Sequence, residues 1–143
     1  MTTLQSPIPE PSYEIDPPLV LLAEDDDMFR QLLCGILRRD GYNVLEAKDG
    51  ARLRRLVEEL LQSGRDTRPE LIISDVRMPG ASGLGVLELL RTYDWYTPVI
   101  LMTAFGGPEV EARARQLGAA TVFSKPFALE DFRRRVQDIL PTL

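Results

Sequence analysis

Leu19-Val20-Leu21-Leu22-Ala23 runs directly into Glu24-Asp25-Asp26-Asp27, and Leu71-Ile72-Ile73-Ser74 runs directly into Asp75. A short, branched apolar run that breaks abruptly into carboxylates reads as a buried parallel strand with acid at its carboxyl end. In open α/β sheets the ligand crevice lies beyond the carboxyl ends of the strands. Two such strands point to one pocket, and their carboxylates point to hard-cation and phosphate chemistry.

Outward from these runs, short apolar segments alternate with longer amphipathic ones. The pattern predicts strands near 19–24, 43–47, 70–75, 98–102 and 120–124, and helices near 27–39, 50–63, 83–92, 107–117 and 128–140. The first helix places Met28, Leu32, Leu33, Ile36 and Leu37 on one stripe, with Gly41 as its stop signal. The second carries Leu53, Leu56, Val57, Leu60 and Leu61 and ends before Gly64; the last carries Leu129, Phe132, Val136, Ile139 and Leu140. Its Arg133-Arg134-Arg135 run reads as a solvated face. Five β-α units joined by short loops imply a parallel sheet covered on both sides, an α/β fold. Residues 1–18 hold Pro7, Pro9, Pro11, Pro17 and Pro18 and read as an extended leader, leaving 19–143 as one domain.

Composition narrows the function by exclusion. The net charge is -5, with 17 basic against 22 acidic residues, which gives no electrostatic case for binding nucleic acid directly. Cys34 is the single cysteine, so an internal disulfide and a thiolate metal cage are both excluded, and its apolar setting predicts a buried thiol. The apolar runs are too short to cross a bilayer and the N-terminus lacks a secretory pattern, so the expected location is cytoplasmic. The chain has no histidine. Ser-His and Cys-His nucleophilic pairs and imidazole metal sites are therefore unavailable, and any phosphohistidine in its biochemistry belongs to a partner.

Asp75 is the candidate centre of the chemistry. A carboxylate attacks phosphorus only when its own charge and that of the phosphoryl oxygens are neutralised. Like-charged acids gathered at one strand-end pocket repel, and Mg²⁺ relieves that repulsion through carboxylate, carbonyl and water ligands. The expected ligands are the carboxylates of Asp25 and Asp75, the backbone carbonyl of Arg77, and Glu24 acting through water. Asp26 or Asp27 is expected to cap the first helix. Val99-Ile100-Leu101-Met102 ends at Thr103-Ala104, and Ala120-Thr121-Val122-Phe123-Ser124 ends at Lys125-Pro126-Phe127. A hydroxyl and an ammonium at these two strand ends can hold two oxygens of a phosphoryl group on Asp75.

Taken together, Glu24-Asp25 followed by Arg30, Asp75 followed by Met78-Pro79-Gly80, Thr103-Ala104 and Lys125-Pro126-Phe127 resemble the receiver domain of two-component response regulators. The resemblance covers roughly residues 19 to 140. It implies a five-stranded parallel sheet in the order 2-1-3-4-5, doubly wound as in flavodoxin-like folds, with its switch point between strands one and three. It also implies that Asp75 accepts a phosphoryl group from a partner histidine kinase or histidine phosphotransfer protein. Glu24 and Asp25 would hold Mg²⁺, Thr103 would hydrogen-bond the phosphoryl group, and Lys125 would pair with it. A cis Lys125–Pro126 bond is expected. So is a shift of the surface made by helix four, strand five and helix five, a surface available for an output protein or a homodimer.

The sequence departs from the family at the switch position three residues before the lysine, where Val122 replaces an aromatic residue. Phe123 is its neighbour and points to the opposite face, so the usual ring rotation is expected to be absent or weak. Arg77 and Phe105 occupy rim positions suited to controlling access of water. The leading expectation is a stand-alone signalling module that is not an enzyme beyond Mg²⁺-dependent self-phosphorylation and autodephosphorylation. Two alternatives accompany it. One is a receiver fragment of a larger regulator with a separate output domain. The other is an aspartyl phosphatase of the haloacid dehalogenase type, suggested by Asp25-x-Asp27, which leaves Asp75 without a role.

Overall fold

Parallel strands need long crossovers, and helices supply them here. The structure, a computed structural model, describes residues 16–63, 68–93 and 95–142. In chain order the elements are β1 (Leu19–Ala23), α1 (Asp27–Arg39), β2 (Asn43–Ala47), α2 (Gly50–Ser63), β3 (Leu71–Asp75), α3 (Gly83–Thr92), β4 (Val99–Thr103), α4 (Pro108–Gln116), β5 (Thr121–Ser124) and α5 (Leu129–Ile139). The five strands form one parallel sheet in the order β2-β1-β3-β4-β5, as the resemblance implies. Element boundaries fall within a residue of those read from periodicity. The expected stop residue Gly64 lies outside the described residues, as do positions 1–15 of the leader. Pro18 already joins the sheet margin, its carbonyl accepting from Asn43 N at 2.9 Å.

Period-two alternation divides the core between the two faces of the sheet. Leu21, Ala23, Ile72, Val99, Leu101 and Val122 pack with the apolar side chains of α2 and α3 and with Ala114 of α4. Val20, Leu22, Leu71, Ile73, Ile100, Met102 and Phe123 pack with α1 and α5, including Leu33, Cys34, Leu37, Phe132 and Val136. Val122 and Phe123 thus face opposite layers, as their adjacency requires. Phe123 lies 5.1 Å from the Phe127 ring and 6.0 Å from Phe132, locked within one aromatic cluster.

Two readings of helix faces need correction. On α1 the inward stripe is Phe29, Leu33, Cys34 and Leu37, whereas Met28 is 82% exposed and Leu32 47%. α1 holds more apolar residues than its contact stripe can bury, so periodicity alone allowed a rotated choice. The arginine run on α5 is not simply solvated. Arg133 grips both oxygens of Asp40 at 2.9 Å, and Arg135 bonds Thr121 and the Ala120 carbonyl, while Arg134 stays outside. The end of α5 is fastened to the α1–β2 turn as well. Tyr42 donates its hydroxyl proton to the Leu140 carbonyl at 2.5 Å, and Thr142 donates to the Asp40 carbonyl at 3.1 Å.

The far end of β3 is seated by a glycine. A Cβ on Gly83, the first residue of α3, would lie 2.3 Å from the Asp75 carbonyl oxygen, so only glycine lets α3 begin there. The preceding turn needs Gly80, whose φ of 90° suits no branched residue.

Candidate functional site

Register brings the acids together. Ala23 pairs with Ser74, so the next residues, Glu24 and Asp75, leave neighbouring strands at the same level. Both continue the parity of Leu22 and Ile73, which face α1 and α5, and Lys125 continues that of Phe123. Two carboxylates and an ammonium therefore lean toward one another. Lys125 Nζ lies 2.6 Å from Glu24 Oε1 and 2.6 Å from Asp75 Oδ1. Glu24 is 0% exposed and Asp75 3%, so both carboxylates are sheltered from water. A compact ammonium suits the gap between two carboxylates better than a planar fork, in a chain with two lysines among its 17 basic residues.

The electrostatics follow from this crowding. Burial pushes the Asp75 carboxyl up to about 8, and the adjoining Glu24 carboxylate pushes the same way against the pull of Lys125. Burial also raises Glu24, but its bonds to Asp75 and Lys125 outweigh it and leave Glu24 below the usual carboxylate range. Burial works against the Lys125 charge, and the two carboxylates more than compensate. The two carboxyls are thereby linked, Asp75 being the weaker acid of the pair. Neither Asp75 oxygen has a well-formed hydrogen bond, and the Lys125 contact is an ion pair only.

Asp25 completes the acidic group. One oxygen each from Glu24, Asp25 and Asp75 lies within 4.8 Å of the others. Twice a magnesium–oxygen distance of ~2.1 Å is ~4.2 Å, so small side-chain adjustments suffice to gather them on one ion. Two unsatisfied buried oxygens beside an exposed carboxylate fit a hard dication. Glu24 is buried and bound directly to Lys125. Asp26 is the N-cap of α1, accepting from Phe29 N at 2.9 Å.

A cavity of about 220 Å³ opens over Asp75, lined by Asp25, Asp75, Arg77, Met102, Thr103, Ala104, Phe105 and Lys125. Asp25, Asp75, Arg77, Thr103, Ala104 and Lys125 therefore border one space, while Glu24 lines an adjoining one that shares Ala104 and Lys125. Thr103 ends β4, 4% exposed, and its hydroxyl oxygen accepts from Phe105 N at 3.1 Å. Phe105 stands at the mouth, 74% exposed. The Lys125–Pro126 peptide bond is cis, as the resemblance implies. The sequence reading assigned no role to Phe29, whose ring centroid lies 5.1 Å from Lys125 Nζ. It also gave Arg30 only as part of a motif. Both sit one helical turn beyond the acidic run, which is the signal that α1 returns side chains to the pocket.

A doubly wound parallel sheet with an acidic, lysine-bridged pocket at its switch point defines the class: flavodoxin-like domains with a cation-compatible strand-end site. Comparison with known proteins sharpens this. The family model described as the response regulator receiver domain matches residues 20–137, and the chain belongs to that family. It is 30% identical over 122 residues to sporulation initiation phosphotransferase F of Bacillus subtilis, covering 85% of this chain and 93% of that protein. It is 36% identical over 124 residues to Protein PetR of Rhodobacter capsulatus, covering 87% of this chain but 49% of PetR. The solved structure of the Vibrio cholerae chemotaxis protein CheY4 superimposes with a TM-score of 0.73 at 28% identity, covering 87% of this chain and 99% of that one. Among the described residues no helix is long and apolar enough to cross a membrane.

Proposed function

We propose that this domain is the phosphoacceptor of a two-component pathway, with Asp75 taking a phosphoryl group from a histidine of a partner kinase or phosphotransfer protein. The observation that carries the reading is the Asp75 carboxylate itself: 3% exposed, without a good hydrogen bond, and at the floor of a cavity with an ammonium 2.6 Å away. A buried carboxylate held so poorly is built to gain a ligand.

In the reaction an Asp75 oxygen attacks phosphorus. The P–N bond to the partner's imidazole breaks, and its electron pair returns to the imidazole nitrogen. Glu24, Asp25, Asp75 and the backbone carbonyl of Arg77 would hold Mg²⁺, which would supply charge neutralisation for the acids and the phosphoryl oxygens. Asp75 reacts as the carboxylate, any proton that burial and Glu24 favour on it passing to solvent, and Lys125 keeps its charge throughout. Lys125 then moves from Asp75 to a phosphoryl oxygen. Thr103 donates a hydrogen bond from its hydroxyl to another, and Ala104 walls the same side. The chain needs no histidine for this, and its own chemistry is limited to self-phosphorylation and slow hydrolysis in the cytoplasm.

The new charge on Asp75 biases a two-state element made of α4, β5 and α5, the surface that contacts an output protein or a second copy. Of α4 only Ala114 is buried, against Phe132 and Val136 of α5, so it is the less anchored helix at this surface. Val122 gives this switch no ring to rotate, and Phe123 is locked on the other face.

Intact mass after incubation with acetyl phosphate and Mg²⁺ tests the reading. One phosphoryl adduct is expected on the wild type and none on Asp75→Asn. An adduct that survives Asp75→Asn and disappears in Asp25→Asn favours the phosphatase chemistry instead.

A further inference from the structure

We propose that Arg30 is a positioning residue that sets the aim of Asp25 by gripping the backbone in front of it; this rests on the reading of Asp75 as a magnesium-dependent phosphoacceptor. Asp25 is exposed, so packing does not fix its side chain and the backbone must. The peptide group joining residues 24 and 25 is planar, so holding its oxygen also holds the nitrogen and Cα of Asp25, the atoms from which its side chain is hung. Arg30 Nη1 donates to that oxygen, the Glu24 carbonyl, at 2.9 Å.

The guanidinium is itself immobilised. It is 12% exposed, Nη2 donates to Asp27 Oδ1 at 2.7 Å, and Nε lies 3.4 Å from Glu46 Oε1 on β2. Glu46 is braced in turn by Arg38 Nη2 at 3.2 Å. One planar fork thus joins the end of β1, the first turn of α1 and the edge strand β2, which a point-charge ammonium cannot do. Glu24 is gripped twice, by Arg30 at its carbonyl and by Lys125 at its carboxylate. The acidic turn between β1 and α1 is therefore preformed before any cation arrives.

Sign separates this role from plain charge. A cationic side chain near a dication site weakens binding by repulsion, so removing it for charge reasons alone tightens Mg²⁺. A residue that aims a ligand does the reverse, and loss of such outer partners typically costs 10–100-fold in metal affinity.

Calorimetric titration of the whole chain with Mg²⁺ is the test, using wild type, Arg30→Gln, Arg30→Lys and Glu46→Gln. The expected result is a Kd raised about tenfold in both Arg30 variants and by a smaller factor in Glu46→Gln. The Arg30→Gln/Glu46→Gln double variant should be no worse than Arg30→Gln, because both changes break one brace. Should Arg30→Gln not fold, Arg30→Lys and Glu46→Gln carry the test. Unchanged or tighter Mg²⁺ binding, or a Lys variant equal to wild type, overturns the positioning role while leaving the phosphoacceptor reading in place. A wild type that takes up no Mg²⁺ and no phosphoryl group from acetyl phosphate overturns both.

Discussion

Replacing Asp75 by Asn should stabilise the Mg²⁺-free protein, and the gain should vanish in acid. The Asp75 carboxyl is pushed up to about 8 in the folded chain from its ordinary 3.8. A raised acid binds its proton more tightly when folded, so its penalty is nil below the unfolded value and grows as pH climbs toward the folded one. Between those values each pH unit removes ~1.4 kcal/mol, which sets a ceiling of ~5 kcal/mol at pH 7.5. Glu24 and Lys125 shift in the stabilising direction through their contacts with the same carboxyl and return part of it. An amide of the same shape escapes the titration, so a net gain of ~2 kcal/mol is expected, worth roughly 6 °C in Tm for a domain of this size. Thermal unfolding by circular dichroism in EDTA at pH 7.5 and pH 4 reads it directly. A lower Tm for Asp75→Asn at pH 7.5, or an equal gain at both pH values, refutes the argument that carboxylate crowding destabilises the empty pocket. Added Mg²⁺ should reverse the order by stabilising the wild type through mass action.

Three further outcomes follow from specific contacts. Gly83→Ala puts a methyl 2.3 Å from the Asp75 carbonyl oxygen and should cost more than ~2 kcal/mol in urea unfolding; a loss under ~0.5 kcal/mol contradicts the tight seating of α3. Tyr42→Phe removes the donor to the Leu140 carbonyl and should cost ~1 kcal/mol by the same assay, with unchanged phosphorylation by acetyl phosphate. Phe105→Ala opens the mouth of the cavity and should shorten the half-life of the phosphorylated form several-fold, followed by loss of the adduct mass; an unchanged half-life removes the ring from water exclusion.

The strands and the pocket were legible because both depend on local pattern. An apolar run such as Leu71–Ser74 closed by Asp75 states its burial and its polarity break within five residues, and parallel sheets place all such breaks at one end. What stayed hidden depends on partners distant in the chain. Nothing near Arg133 announces Asp40, which is 93 residues away, so its run read as a solvated face. Glu24 and Lys125, 101 residues apart, read as separate ligands rather than as a direct ion pair. The stripe on α1 was misjudged for a related reason: Met28 and Leu32 are as apolar as Phe29 and Leu33, and only the sheet beneath decides which pair is covered.

The central claim is that Asp75, and neither Asp25 nor Asp27, is the carboxylate that carries phosphorus. Borohydride reduction of the labelled protein converts an acyl phosphate to homoserine, and tandem mass spectrometry of the resulting peptides locates it. The account predicts homoserine at position 75 alone, and only when acetyl phosphate and Mg²⁺ were both supplied. Homoserine at 25 or 27, or an unaltered Asp75 in fully treated wild type, contradicts it.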